Sequence, residues 1–269
     1  MTAVPTAPVA RLSPAEFFAC WNSLGLDEPP LLLQVRPPGY TMAERRRIFA
    51  EAASGLSARG LYAAGRPEPA LQRMLEILAC PDYTLDIRYA TDPRTQVLGL
   101  AAVSGASATV VVSDGTGAGP LDLLDLDSAH AAGYLISLAG PINPGRGRPV
   151  NIPVESLDEA RAAVPDGDIW SVADHLRSRG VSRADASSFA RMCGDIRSGG
   201  QLGATGHFGG PPRRGPWVIV FHRTPAGYFM RLQRRHGAPA AVLTVCPADA
   251  ALLLRHWREL VERLATTPR

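Results

Sequence analysis

The spacing of apolar residues changes twice along this chain, each time from a helical to an alternating period. Apolar residues first recur every three or four positions, as in helices that bury one face, and then at every second position, as in antiparallel strands. After residue 149 the same order of helices, strands and a closing helix begins again. A chain of 269 residues with 46% hydrophobic content can bury a full core around these elements. We therefore predict an α+β fold with a central, mostly antiparallel sheet and N- and C-terminal helical bundles.

Helix starts in the first half carry recognisable caps. Ser13 with Glu16, and Thr41 with Glu44, are spaced as capping boxes, and Pro14 suits the first helical turn. We expect helices at residues 13–24, 41–58, 69–79 and 128–138. We expect strands at residues 31–35, 83–89, 96–103, 108–113 and 121–126.

The second half is predicted to repeat this order. Helices are expected at 155–163, 169–178, 183–193 and 247–264, and strands at 201–208, 217–223, 228–235 and 241–245. The Gly- and Pro-rich segment 140–149 is the best linker candidate between residues 1–139 and 150–269, two halves of one domain. Residues 124–132 align without gaps on 243–251, so we predict a pseudo-two-fold protein.

Composition favours a reducing compartment. It also means that a single arginine is weak evidence for a binding site. The four cysteines lie far apart, without metal-ligand spacing, so we expect reduced thiols. The N-terminal residues lack the pattern of a secretory signal, and no stretch has the roughly 20 apolar residues of a membrane-spanning helix. The net charge is +3 and every basic side chain other than histidine is arginine, which is typical of a GC-rich genome. We predict a cytoplasmic protein without membrane insertion.

Motifs for catalysis and metal binding are absent from the sequence. It has no GxSxG elbow and no HExxH box, and the glycine-rich stretch 115–119 lies between two strands instead of before a helix. Asp125 and Asp127 alternate with leucines, as on a solvated strand. We predict no catalytic residue, no metal and no cofactor. An enzyme with dispersed catalytic residues remains an alternative.

Arginine clusters keep nucleic-acid binding open as a minor alternative. They lie at residues 45–47, at 213–214, and at 231 with 234–235. The aromatic residues that single-strand binders interleave with such charges are sparse here. We therefore predict no nucleic-acid partner.

The C-terminal half carries a resemblance to a known family. Its marks are GHFGGPPRRGPWVIV at 206–220, TPAGY at 224–228 and TVCPAD at 244–249. LSPAEF at 12–17, Leu61, DIRY at 86–89 and the order of elements add to it. The chain resembles the EspG family, ESX (type VII) secretion-associated proteins of actinobacteria.

This resemblance implies a cytosolic chaperone. Its partner would be a PPE-like protein in a PE–PPE heterodimer, whose apolar helical tip it binds and keeps soluble for export. A scaffold of the same fold that serves WXG-type secreted proteins is the main alternative. In the family, the binding surface uses the central sheet, the loop joining the second and third strands, and the C-terminal helical part.

Five residues are predicted to contact the partner. Asp92 and Arg94 lie in the corresponding loop, residues 91–96, which is short here. Arg223, Arg231 and Gln233 lie on later strands, and alternation puts Arg231 and Gln233 on one side of the sheet. An apolar sheet face that is exposed before the partner arrives leads us to expect a homodimer in the free state.

Overall fold

Helices and antiparallel strands make up the fold, which confirms the predicted α+β class. The computed structural model describes residues 8–92, 95–165, 167–208, 211–235 and 241–266, without the side chains of 234 and 235. Within these ranges the helices are α1 (Pro14–Ser23), α2 (Met42–Ala58), α3 (Pro69–Ala79), α4 (Ser128–Ser137), α5 (Val154–Ala163), α6 (Ile169–Ser178), α7 (Arg183–Cys193) and α8 (Ala250–Thr266). The described strands are β1 (Ala10–Leu12), β2 (Tyr62–Ala63), β3 (Arg66–Pro67), β4 (Tyr83–Ala90), β5 (Gln96–Ser104), β6 (Ser107–Ser113), β7 (Leu121–Asp127), β8 (Val150–Pro153), β9 (Ser198–Gly206), β10 (Arg213–Arg214), β11 (Ile219–Thr224), β12 (Gly227–Arg235) and β13 (Ala241–Pro247).

The capping residues start the first helices as predicted. The Glu16 carboxylate accepts from the backbone N–H of Ser13 at 2.8 Å, and the Ser13 hydroxyl accepts from the Glu16 N–H at 3.3 Å. The Thr41 hydroxyl accepts from the Glu44 N–H at 3.1 Å in the same way. These bonds satisfy N–H groups that a helix start leaves unpaired. The local signal therefore places α1 and α2 to within two residues.

Two predicted elements differ from the structure. The strand expected at residues 31–35 is wrong, because Leu31–Leu33 form a single 3-10 turn and Gln34 adopts the left-handed region at φ 53°. Burial along the apolar run is uneven, because Leu31 is 87% exposed whereas Leu33 is fully buried in the core of the first unit. The last helix was expected from residue 247, but Pro247 ends β13. Helix α8 starts at Ala250, and the Asp249 carboxylate accepts from the Leu252 N–H at 2.8 Å.

Several short strands carry no periodic signal and were not predicted. They are two to four residues long, which is too short to show alternation. Strand β1 pairs with β7, β8 with β13, β10 with β9, and β2 with β3 as a separate hairpin. Of these, β8 matters for the site because it extends the sheet of the C-terminal half.

The chain divides into two compact units, each built from more than one stretch of the sequence. The first unit contains the described residues of Met1–Arg88, Thr95–Leu138 and Ala204–Arg214. Its strands follow the order β1-β7-β6-β5-β4, and its core includes Phe17, Trp21, Leu71, Leu75, Leu100 and Val111. The predicted division at residues 139 and 150 and the pseudo-two-fold relation stay predictions.

The second unit contains the described residues of Tyr89–Arg94, Ala139–Gly203 and Gly215–Arg269. Its strands follow the order β9-β11-β12-β13-β8. Helices α5, α6 and α7 share a core with β8, β12 and β13, which includes Val150, Leu157, Phe189, Phe229 and Val245. Helix α8 contacts β11, and its Trp257 indole N–H donates to the Gly203 carbonyl at 2.9 Å.

The segment predicted as a linker is hydrogen-bonded to β12 within this unit. The Tyr228 N–H donates to the Asn143 carbonyl and the Gly145 N–H donates to the Tyr228 carbonyl, both at 2.9 Å. Gly145 is required because a Cβ there would lie 2.1 Å from the Phe229 ring. The close approach fixes this segment beside the ring of Phe229.

Candidate partner-binding groove

One face of the second unit's sheet is built by residues in cross-strand register. Arg231 of β12 lies opposite Val220 of β11 on one side and Val245 of β13 on the other. Val220 in turn lies opposite Gln201 of β9. Directly opposed residues in a sheet project to the same face. Gln233, two positions after Arg231, joins them by alternation and lies opposite Leu243.

Helix α5 forms the second wall of a cavity over this face. Val154, Leu157, Asp158 and Arg161 recur at i, i+3, i+4 and i+7, which is one face of a helix. The space between this helix face and the sheet is a groove of about 640 Å³. We call it the β12 groove. Its lining is Val154, Leu157, Asp158, Arg161, Gln201, Pro216, Trp217, Val218, Val220, Arg231, Gln233 and Leu243.

The same sheet face is closed toward the other end of β12. Phe229, two positions before Arg231, is 1% exposed and belongs to the core with α7. His222 of β11 lies opposite Phe229, and their rings stack with centroids 5.9 Å apart. The His222 Nε2 lies 2.7 Å from the Met192 carbonyl oxygen. A carbonyl can only accept, so Nε2 carries the proton of a neutral imidazole.

Burial lowers the pKa of His222 to about 4, and the charge of Arg231 adds to this shift. The hydrogen bond to Met192 raises this pKa; its effect is weaker than that of burial and stronger than that of Arg231. Desolvation disfavours the charged form of a buried base. His222 is therefore neutral at physiological pH and contributes no positive charge to the groove.

Arg231 lies where the closed end meets the groove. It is half-buried, and burial followed by the nearby charge of Arg161 lowers the pKa of its guanidinium. Among the described residues, Arg231 has no side-chain hydrogen bond and no ion pair. Burial raises the pKa of the neighbouring Cys193 thiol to about 11, so that the thiol is neutral and supplies no counter-charge. Arg231 is thus a partly desolvated cation that faces an open cavity.

The sequence-predicted contact residues fall into three groups. Arg231 and Gln233 share one face, as predicted, and both line the β12 groove. Arg223 is exposed on the opposite face, opposed by Tyr228 and Ser198. Asp92 is exposed and its carboxylate accepts from the Thr91 hydroxyl at 3.3 Å, while Arg94 lies outside the described residues. The roles of all five in partner binding stay predictions.

Sequence reasoning missed the contribution of helix α5 to the groove. The signal was available in the spacing of Leu157, Asp158 and Arg161, which places an acid and a base beside an apolar residue on one helix face. This spacing was not sufficient to predict the groove, because only the pairing of β8 with β13 shows where α5 begins relative to the sheet.

One arginine of the basic clusters, Arg214, has a structural role. In the first unit, its two terminal guanidinium nitrogens, Nη1 and Nη2, donate to the Asp86 carboxylate, and the Nη2 to Oδ1 distance is 2.8 Å. Asp86 is 4% exposed, so this pair neutralises a buried acid. In the described part of the chain, no cluster of His, Cys, Asp and Glu is arranged to hold a metal ion. No described helix is both long and apolar enough to cross a membrane.

Comparison with known proteins places these features in a family. The sequence pattern of the EspG family matches residues 13–259. The chain belongs to the EspG family. This confirms the resemblance found in the sequence. No curated protein matches the chain.

Among solved structures, the fold is similar to that of a chaperone of the same family. It is the Mycobacterium tuberculosis type VII secretion system chaperone EspG5, solved in complex with a PE25–PPE41 dimer. The two share 15% sequence identity, the match covers 97% of this chain and 98% of the other, and the TM-score is 0.76. At this identity the likeness concerns the fold.

Proposed function

We propose that this chain is a cytoplasmic, non-enzymatic chaperone of type VII secretion that binds the helical tip of a PPE-like protein in a PE–PPE pair. Binding keeps the apolar tip soluble until export. Membership of the EspG family and the fold shared with EspG5, which was solved with a PE–PPE dimer, support this proposal.

The β12 groove is the observation that carries the proposal. A monomeric globular protein normally fills or covers the apolar face of its sheet. Here Val218, Val220 and Leu243 remain half-buried along a cavity of about 640 Å³. A helical tip with apolar side chains can fill such a groove, and the polar groups at its margin then set which tip fits. We therefore assign Arg231 and Gln233 to the contact surface.

Co-expression tests the proposed function. We expect the PE–PPE pair encoded nearest to this gene to co-purify with the tagged chain, and the PPE-like protein to precipitate or be degraded without it. A pair that stays soluble alone and is not retained by the chain would overturn the proposal. Retention of a WXG-type protein in its place would favour the scaffold alternative.

The remaining predicted contacts can be tested in the same assay. Reduced co-purification of the PE–PPE pair with Arg223→Glu would indicate contact at the opposite sheet face. Reduced co-purification with Asp92→Arg or Arg94→Glu would indicate contact at the loop 91–96. Light scattering of the free chain tests the predicted homodimer, and a strictly monomeric protein would contradict it.

A further inference from the structure

We propose that the β12 groove selects its partner through a carboxylate, such that one Asp or Glu side chain of the PPE-like tip pairs with Arg231 while neighbouring apolar side chains pack on Val220 and Leu243. This inference rests on the proposed function, because it names what the partner must bring to the groove.

The charge balance of the lining calls for an acid. Among the described lining residues, Arg161 and Arg231 are the two cations and Asp158 is the only carboxylate, which gives these residues one net positive charge. Covering the groove with a purely apolar tip would remove water that hydrates Arg231 and would offer no hydrogen-bond acceptor in its place. A charged group buried without a partner opposes binding, whereas a hydrogen-bonded acid would offset that cost.

The geometry of Arg231 suits a planar acceptor. A guanidinium offers parallel N–H donors that match both oxygens of one carboxylate. Gln233 follows on the same face of β12, and Gln201 lies across Val220 on β9. Both glutamines line the groove, and a glutamine amide can donate to a carboxylate oxygen that Arg231 leaves unsatisfied.

A nucleic-acid backbone fits the same groove poorly. Binding a phosphate backbone requires several cations along a track. The described lining offers two arginines, two glutamines, one aspartate and walls of valine, leucine, proline and tryptophan. A single acidic side chain set among apolar neighbours matches this composition better than a polyanion does.

The test is isothermal titration of the PE–PPE pair into variants of the purified chain. We expect Arg231→Glu to weaken binding on the order of 30-fold or more, because it replaces a desolvated charge pair by two facing acids. Arg231→Lys should lose less because it keeps the positive charge, but it should still bind more weakly than the wild type because an ammonium cannot form the parallel pair of bonds. The matched control is Arg191→Glu, the same charge change on the exposed surface of α7 outside the groove. It should bind as the wild type does.

A charge swap identifies the partner's acid. Each Asp and Glu of the PPE-like tip is replaced in turn by Arg, and one of these replacements should restore binding to Arg231→Glu by at least tenfold. Arg231→Gln, checked by thermal unfolding, covers the case in which Arg231→Glu does not fold. If Arg231→Glu and Arg231→Gln both bind as the wild type does, the inference is wrong although the proposed function stands. Loss that no tip replacement rescues also overturns it, and no binding by the wild type overturns both.

Discussion

Phe229 and Arg231 lie two positions apart on the same face of β12, yet their surroundings are opposite. Phe229 is covered by α7 and packs against Gly145, with 1% of its surface exposed. Arg231 borders an open groove and has no ion pair among the described residues. Strand β11 changes at the same register, from buried His222 to half-buried Val220, and β13 changes one residue pair later, from buried Val245 to half-buried Leu243.

This comparison separates residues that maintain the fold from residues that are available to a partner. At the closed end, aromatic and aliphatic side chains fill the space between the sheet and α7. At the open end, the lining mixes half-buried valine and leucine with Arg, Asp and Gln side chains that are exposed or half-buried. A residue at the first end should therefore affect stability, and one at the second should affect binding.

Phe229→Ala should give the largest effect. Removing a fully buried ring leaves a cavity under α7, and such substitutions cost about 3–5 kcal/mol. Urea unfolding followed by circular dichroism would measure the loss of unfolding free energy. Leu243→Ala at the open end is the comparison, and we expect it to cost about 1 kcal/mol because the side chain already faces the groove. Equal losses at both positions would contradict the division of the sheet face into a closed and an open end.

A pH dependence at the closed end should be slightly smaller. His222 has a folded pKa of about 4, below its ordinary value of 6.5. Between these values the unfolded chain takes up a proton at this site and the folded chain does not. Stability from His222 is therefore full above pH 6.5 and falls as the pH drops toward 4, by about 3 kcal/mol in total.

The His222 contribution can be isolated by difference. Urea midpoints of the wild type and of His222→Gln would be compared at pH 7.5 and pH 4.5. We expect the wild type to lose about 2–3 kcal/mol more than the variant over this range, because glutamine does not titrate. The same loss in both proteins would mean that other groups cause the acid sensitivity.

Local chemistry explains which elements the sequence could predict. Ser13 and Thr41 set helix starts through bonds within four residues, so no knowledge of the tertiary fold was needed. The strand predicted at residues 31–35 was wrong because a short apolar run does not by itself distinguish a strand from a turn, and here Leu33 is buried while Leu31 faces solvent. Strand β8 was too short for any period and depends on its pairing with β13.

The candidate site was predictable only in part for a similar reason. Alternation along β12 is a local property, and it placed Arg231 and Gln233 on one side correctly. Arg223 projects to the opposite face because of the register between β11 and β12, and this register cannot be read from the sequence. The lack of an ion pair at Arg231 also results from packing, because it requires that no described acid comes within ion-pair distance.

The smallest expected effect concerns the stability of the open end itself. If Arg231 serves the partner, its partly desolvated charge destabilises the free chain. Arg231→Met should therefore raise the unfolding free energy by about 0.5 kcal/mol or more. Urea unfolding of the free protein would measure this, and titration with the PE–PPE pair should show weaker binding by the same variant. Gln233→Met is the matched control, because it adds an apolar side chain in the same groove without removing a charge. A clear loss of stability in Arg231→Met would mean that the arginine holds the fold together, and the open end would then resemble the closed end.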